Sequence, residues 1–206
     1  MKSYGICPAS CGEFVQGFVN KEEYLSSYAI DLYSTAVVEE KLEDIILGPR
    51  KSRKAIEMVF ENFNIPIQES KNISLNINSQ IPTGKGMASS TADIGATIKA
   101  TLSLIEKEMT SEEISKLAAG IEATDSIFIE DVNIFNPLSG EVMKYLGNLQ
   151  NAKVLILEPN RTLNTKRIRS KSNYMETKLK NQNLIKEAFY LLEDGIRKND
   201  LNLVGK

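Results

Sequence analysis

Two glycines, Gly84 and Gly86, stand just ahead of three consecutive hydroxyl residues in the run Ile81-Pro82-Thr83-Gly84-Lys85-Gly86-Met87-Ala88-Ser89-Ser90-Thr91-Ala92-Asp93. A backbone that lacks Cβ at two nearby positions can turn sharply and come close to a ligand. If a helix starts at the end of this run, its first N–H groups have no intrahelical partner and lie at the positive end of the macrodipole. Such a place suits an anion, phosphate above all. Ser89, Ser90 and Thr91 could then bond phosphate oxygens or complete a metal's shell, and Lys85 could add a point charge. An ordinary tight turn with a serine as helix cap accounts for the same residues.

The second stretch able to do chemistry is Ile121-Glu122-Ala123-Thr124-Asp125-Ser126. An acidic pair where a helix ends sits at the negative pole of its dipole, and a bound cation would relieve it. Asp125 also fits a turn residue making an Asx bond. The chain contains no histidine, so any general base must be a carboxylate, Lys, Tyr or Cys, and a Ser-His-Asp triad is impossible. Cys7 and Cys11 have neither the second cysteine pair nor the histidines a zinc site needs. They are expected as small residues packed near a strand end, and not as a disulfide.

The elements that must position these residues follow from periodicity. Ile73–Asn78 alternates apolar and polar residues like a half-buried strand, and Ala88–Ile105, free of proline, reads as a helix. The glycine run is thus expected to join a strand to a helix. Tyr4–Ala9 and Glu13–Val19 read as two short strands around a hairpin or tight corner at Ser10-Cys11-Gly12. Tyr28–Glu39 reads as a third strand, with Asp31 interrupting its apolar context and so a weak candidate for a substrate site. Ser52–Asn62 is an amphipathic helix, and Thr110-Ser111-Glu112-Glu113 is a capping box opening another. Ile127–Ile129 and Val132–Phe135 are expected strands, followed by a turn at Pro137–Gly140 and a strand over Glu141–Tyr145. Glu130-Asp131 reads as a solvated turn. A boundary is expected near Gly147–Asn151. Beyond it come a buried strand at Lys153–Leu157, a polar stretch to Ser172, and one helix from about Tyr174 to Lys198. The apolar face of that helix includes Leu184, Ile185, Ala188, Phe189, Leu192 and Ile196.

At 206 residues, with 42% hydrophobic and 25% charged residues, the composition is that of an ordinary globular protein. The net charge of −2 provides no electrostatic reason to expect nucleic acid or an anionic membrane as partner. The one short basic cluster, Lys166–Lys171, reads as a solvated loop. No apolar run approaches the roughly 20 residues that span a bilayer, and Met1–Gly5 lacks a signal-peptide core, so a cytoplasmic location is expected.

The string Pro82-x-Gly84-x-Gly86-Met87-Ala88-Ser89-Ser90-Thr91-Ala92 resembles the phosphate loop of the GHMP kinases. That group includes galactokinase and the homoserine, mevalonate and phosphomevalonate kinases, and its usual form is Pro-x-x-x-Gly-Leu-Gly/Ala-Ser-Ser-Ala. It is not a Walker A loop, because no Gly-Lys-Ser/Thr closes it. The variant Gly-Met-Ala-Ser-Ser-Thr-Ala-Asp, with the opening Cys7-Pro8-Ala9-Ser10-Cys11-Gly12-Glu13, resembles the branch that phosphorylates L-threonine for cobalamin synthesis.

The resemblance implies ATP and Mg²⁺ as cofactors and a small hydroxyl-bearing partner, L-threonine or a similar amino alcohol. It places the nucleotide phosphates on Pro82–Ala92. Ser89, Ser90 and Glu122 become candidate metal ligands, and Asp125 and Lys85 the catalytic candidates. Gly12-Glu13 matches a Gly-Glu pair beside the substrate, so Glu13 would meet the ammonium; a solvent-facing strand carboxylate is the other reading.

The fold implied is α+β: an N-terminal ribosomal-protein-like β-α-β domain over residues 1–150, left-handed in that family, then an incomplete ferredoxin-like C-terminal domain over 151–206. The family's late glycine-rich motif is absent, so a truncated chain is expected. Another GHMP kinase of homoserine or mevalonate type, a nucleotide-binding remnant, and an RNA-binding use of the same architecture are the competing readings. The acidic balance speaks against the last.

Overall fold

The computed structural model describes residues 1–41, 48–149, 152–158, 160, 162, 170 and 172–206. The chain opens with a long antiparallel hairpin, β1 (Lys2–Val19) and β2 (Glu22–Glu40), in register from Lys2 opposite Glu39 to Val19 opposite Glu22. Its turn is Asn20-Lys21, both with positive φ (52° and 72°), the backbone that a tight two-residue hairpin turn demands. The expected corner at Ser10–Gly12 is therefore no corner. It is an irregularity inside one strand, where the register slips between Ser10 and Glu13, with Gly12 at φ 91° in the manner of a bulge glycine. The third expected strand is the second arm of this hairpin and starts six residues earlier, at Glu22.

Next come α1 (Arg50–Asn62), a 3₁₀ turn (Ile67–Asn72) and β3 (Ile73–Ser79), then α2 (Ser89–Leu104) and α3 (Ser111–Ala119). Two short strands follow, β4 (Val132–Asn136) and β5 (Glu141–Gly147). β1 occupies one edge of β2 along its length, so the other edge is shared. β3 pairs with its Ser34–Glu40 half and β4 meets it at Leu25, both antiparallel. β3 and β4 thus run in the same direction with α2 and α3 between them, which is a β-α-β unit. β5 completes the five-stranded sheet beside β4.

α2 is buried over most of its circumference, as befits a central helix. Ile94, Ala96, Ile98, Ala100 and Leu102 are buried against the sheet and against α1 and α3. Full burial of Ile94 and of Ile98 contributes about 2 kcal/mol each. The buried Thr97 and Thr101 hydroxyls donate back to the carbonyls of Asp93 (2.7 Å) and Thr97 (2.8 Å), so neither is left unsatisfied. The helix lies very close to β1. A Cβ on Gly5 would stand 2.1 Å from the Ala96 carbonyl oxygen, and one on Gly95 would stand 2.7 Å from Cys7 Sγ. Cys7 is accordingly buried in mid-strand, and loss of solvent pushes its thiol up to about 12. α1 buries Ala55, Ile56, Val59 and Phe60, the spacing of one helical face. Its Arg53 is also buried, donating to the backbone carbonyls of Ile73 and Ser70 and so stitching α1 to the entry of β3.

Four expectations about the second half need correction. Ile127–Ile129 is buried but forms a turn, closed by Ile129 N–H on the Ser126 carbonyl at 3.0 Å. Residues 152–158 carry no strand assignment, and Val154–Leu157 is exposed, with Leu155 at 87%. The C-terminal helix is two helices, α4 (Tyr174–Lys180) and α5 (Gln182–Lys198), interrupted at Asn181 and followed by the short α6 (Leu201–Val204). On α5, Leu184 faces solvent, whereas Leu192 and Ile196 pack with Val132, Phe14 and Val15 in a second, smaller core. Gly17 of β1 permits that contact, since a Cβ there would lie 2.7 Å from Ile185. The basic cluster Lys166–Lys171, apart from Ser170, lies outside the described residues. No described helix is long and apolar enough to cross a membrane.

Candidate functional site

The glycine run does join a strand to a helix, β3 to α2. Between them the backbone is left-handed at alternate positions: Gly84 (φ 71°), Gly86 (φ 74°) and Ala88 (φ 55°), with Lys85 and Met87 outside that region. Alternation of this kind turns successive N–H groups toward one side and builds anion-binding concavities. Gly86 needs its freedom for conformation and not for room, because a Cβ there would meet nothing within 4 Å. Ala88 holds the same region without a glycine's excuse, at about 1 kcal/mol of strain.

Ala88 is also the N-cap of α2, and no side chain caps the helix. The serine-cap reading thus fails: Ser89 and Ser90 are the first two helical residues. The run is anchored from below. Ile81 and Met87 are buried, and the Met87 carbonyl accepts from Ser10 N–H in the irregular part of β1 at 3.3 Å. Thr91 and Ala92 are buried as well, and the Ala92 N–H already donates to the Ala88 carbonyl at 2.8 Å, while Pro82, Thr83 and Ser89 reach the surface or its margin. Lys85 pairs with Glu158 at 3.2 Å.

The acidic end is made of side chains. Glu122 lies just past α3, after Gly120 and Ile121, its N–H still on the Ala118 carbonyl at 3.2 Å. Ser90 Oγ donates to Glu122 Oε1 at 2.5 Å, so two of the expected metal ligands are in contact. Lys51 completes the group: its Nζ donates to Ser90 Oγ at 2.9 Å and ion-pairs with the other Glu122 oxygen. Lys51 was not singled out by the sequence. The available signal was a lysine in the first turn of a helix with no acidic residue there, the wrong end of the dipole for a cation.

Asp125 is partly exposed between two buried neighbours, and both are fastened. Thr124 N–H donates to the Pro137 carbonyl at 3.0 Å, and Ser126 N–H donates to Ser27 Oγ at 3.1 Å. Ser27 is the register partner of Glu13. The irregular stretch of β1 therefore reaches both halves, the glycine run through Ser10 and the Asp125 segment through the Glu13–Ser27 pair. Glu13 itself is exposed on β1.

Asp31 stands apart. It lies in a register slip of β2, exposed, and no described hydrogen bond ties it to the glycine run or to Glu122. A carboxylate with no assigned role, Asp93 of α2, instead accepts from Ser34 Oγ at 2.5 Å and binds the helix start to β2. Burial raises its pKa, and the Ser34 hydrogen bond partly opposes this.

Among the described residues no three Cys, Asp or Glu side chains gather as a metal cluster. The oxygen pair of Ser90 and Glu122 already grips a cation, the Lys51 ammonium. Two hard oxygen donors with one carboxylate suit Mg²⁺, which keeps several waters and is completed by substrate phosphates.

Comparison with known proteins bears on the family and the fold. Residues 50–130 match the family described as GHMP kinases N terminal domain. The chain is 38% identical over 130 residues to the L-threonine kinase of Salmonella typhimurium, covering 63% of this chain and 43% of that protein. It is 32% identical over 160 residues to the L-threonine kinase of Citrobacter freundii, covering 77% and 55% respectively. The chain thus spans about half the length of these curated relatives. In three dimensions it superposes on Methanococcus jannaschii mevalonate kinase with a TM-score of 0.60 at 22% identity, covering 99% of this chain and 80% of that one. Residues 50–130 are a GHMP kinase N-terminal domain, and the chain carries the fold of that family.

Proposed function

We propose that this chain transfers the γ-phosphoryl group of ATP to the hydroxyl of a small metabolite, L-threonine, giving O-phospho-L-threonine. The observation that carries this reading is the left-handed alternation at Gly84, Gly86 and Ala88, which opens an uncapped helix whose Ser90 touches Glu122. Phosphoryl transfer asks mainly for positioning and charge neutralisation. The backbone from Thr83 to Ser90 would cradle the phosphates, with Lys85 as a nearby point charge. Ser89, Ser90 and Glu122 would hold Mg²⁺, which would neutralise phosphate charge. Asp125 would orient the acceptor hydroxyl and take its proton, and Glu13 would meet the substrate ammonium. L-Threonine is favoured because two relatives above 30% identity bear that activity in their names. The division into an N-terminal domain to about residue 150 and the start of a second belongs to the same proposal, as do the cytoplasmic location and the place in cobalamin synthesis.

ATP consumption with Mg²⁺ tests it, comparing L-threonine, L-serine, L-homoserine and mevalonate as acceptors. Turnover on L-threonine is expected, at least about tenfold above L-serine, since one methyl group distinguishes them. Asp125→Asn and Glu122→Ala are each expected to lower that turnover about a hundredfold while leaving ATP binding measurable. Preference for mevalonate would reassign the acceptor. Absence of both ATP binding and turnover would overturn the phosphate-site reading.

A further inference from the structure

The Lys51–Ser90–Glu122 group has a feature that phosphate binding alone does not require. It joins the ends of three helices: Lys51 is the second residue of α1, Ser90 the second of α2, and Glu122 follows the last turn of α3. The three side chains form a closed ring. Ser90 Oγ accepts from Lys51 Nζ and donates to Glu122 Oε1, while the other Glu122 oxygen pairs with the same ammonium.

Lys51 has an alternative that it does not take. Its side chain is 39% exposed, and a lysine at the positive end of a helix dipole gains by swinging into water. It bends inward instead, and the result holds the Ser90 hydroxyl and the Glu122 carboxylate side by side. An ammonium and a hard divalent cation draw on the same oxygen atoms, the first by donating hydrogens and the second by coordination.

We infer that Lys51 is a place-holding cation. It keeps Ser90 and Glu122 in position in the nucleotide-free protein and yields Glu122 to the divalent cation that arrives with the nucleotide. This rests on the reading of Ser90 and Glu122 as metal ligands. The charge balance explains why the exchange waits for nucleotide. With Lys51 in place the Glu122 carboxylate is already neutralised. A divalent cation alone would add two positive charges beside the ammonium and the starts of α1 and α2, and only phosphates bring the compensating negative charge. The nucleotide-free protein is therefore a poor binder of divalent cations, and metal enters as the nucleotide complex.

The experiment uses Mn²⁺ as the probe on the full chain without nucleotide, reading free Mn²⁺ by its electron paramagnetic resonance. Lys51→Met is expected to tighten Mn²⁺ binding at least about tenfold, because it uncovers the Glu122 carboxylate. Adding Glu122→Gln to Lys51→Met is expected to abolish the gain, and Lys51→Arg is expected to bind as weakly as the parent. Equal Mn²⁺ affinity in the parent and Lys51→Met would overturn the inference, and so would a gain that survives Glu122→Gln. Circular dichroism confirms that each variant is folded. The wider reading fails separately, if the parent chain does not bind ATP in the presence of Mg²⁺, a measurement that needs no Lys51 variant.

Discussion

The two halves of the candidate site are built by opposite means. The run from Ile81 to Ser90 is a backbone construction, with its shape set by left-handed residues at 84, 86 and 88 and little contribution from side chains. The stretch from Glu122 to Ser126 is a side-chain construction, held by partners remote in sequence: Lys51 and Ser90 for Glu122, Ser27 for Ser126. A backbone site needs particular residue types in a row and a firm seat for the helix behind it. A side-chain site needs several elements to arrive together.

The largest test of that contrast strikes the seat. Gly5→Ala would drive a Cβ to 2.1 Å from the Ala96 carbonyl oxygen and 2.4 Å from the Ala100 nitrogen, both backbone atoms. We expect a loss of about 3 kcal/mol in chemical denaturation, with α2 and the glycine run displaced together. Gly86→Ala is the sharper control, for it meets no atom within 4 Å and differs only in φ. Its cost should be about 1 kcal/mol. Ala88→Gly should act in the opposite sense and stabilise by roughly 0.5–1 kcal/mol, since it relieves the same conformation at the neighbouring left-handed position. Destabilisation by Ala88→Gly would mean that the Ala88 methyl matters more than its φ.

The smallest effect concerns Asp93, which ties the start of α2 to Ser34. Burial raises its pKa, so the folded protein holds that proton more tightly than the unfolded chain does. The stabilisation from the protonated form is complete below the ordinary aspartate value and is lost as pH rises through the raised one. Asp93→Asn keeps an acceptor for Ser34 and removes the titration. Its melting temperature should therefore fall less than the parent's as pH rises across that acid window. Parallel curves would show that the carboxyl does not titrate differently on folding.

How far the sequence revealed all this follows the same division. Gly84, Gly86 and the alternation of Ile73–Asn78 are local signals, and they located the strand, the run and the helix correctly. The capping box at Thr110 and Glu113 is equally local and formed as expected, with Thr110 Oγ1 accepting from Glu113 N–H at 3.2 Å. Ser10-Cys11-Gly12 misled because a bulge and a turn recruit the same residues, whereas the true turn, Asn20-Lys21, has no glycine. Ile127–Ile129 is as apolar as a strand, yet its burial comes from packing beneath α2, where Phe128 lies against Gly95. Val154–Leu157 shows the converse: an apolar run announces a wish to be covered and does not supply the cover. Lys51 was invisible for a related reason, since its partners stand 39 and 71 residues away.

The β1–β2 hairpin is also a beam. One end is clamped beneath α2 through Gly5, and the other supports α5 through Gly17 and Ile185. Its ladder is continuous toward both ends but broken three times between Pro8 and Val15. A beam with a notched middle bends at the notch. Here the notch is where Ser10 grips the glycine run and where Glu13 faces Ser27. Load applied through the C-terminal helices would therefore concentrate at the two contacts that hold the candidate site together.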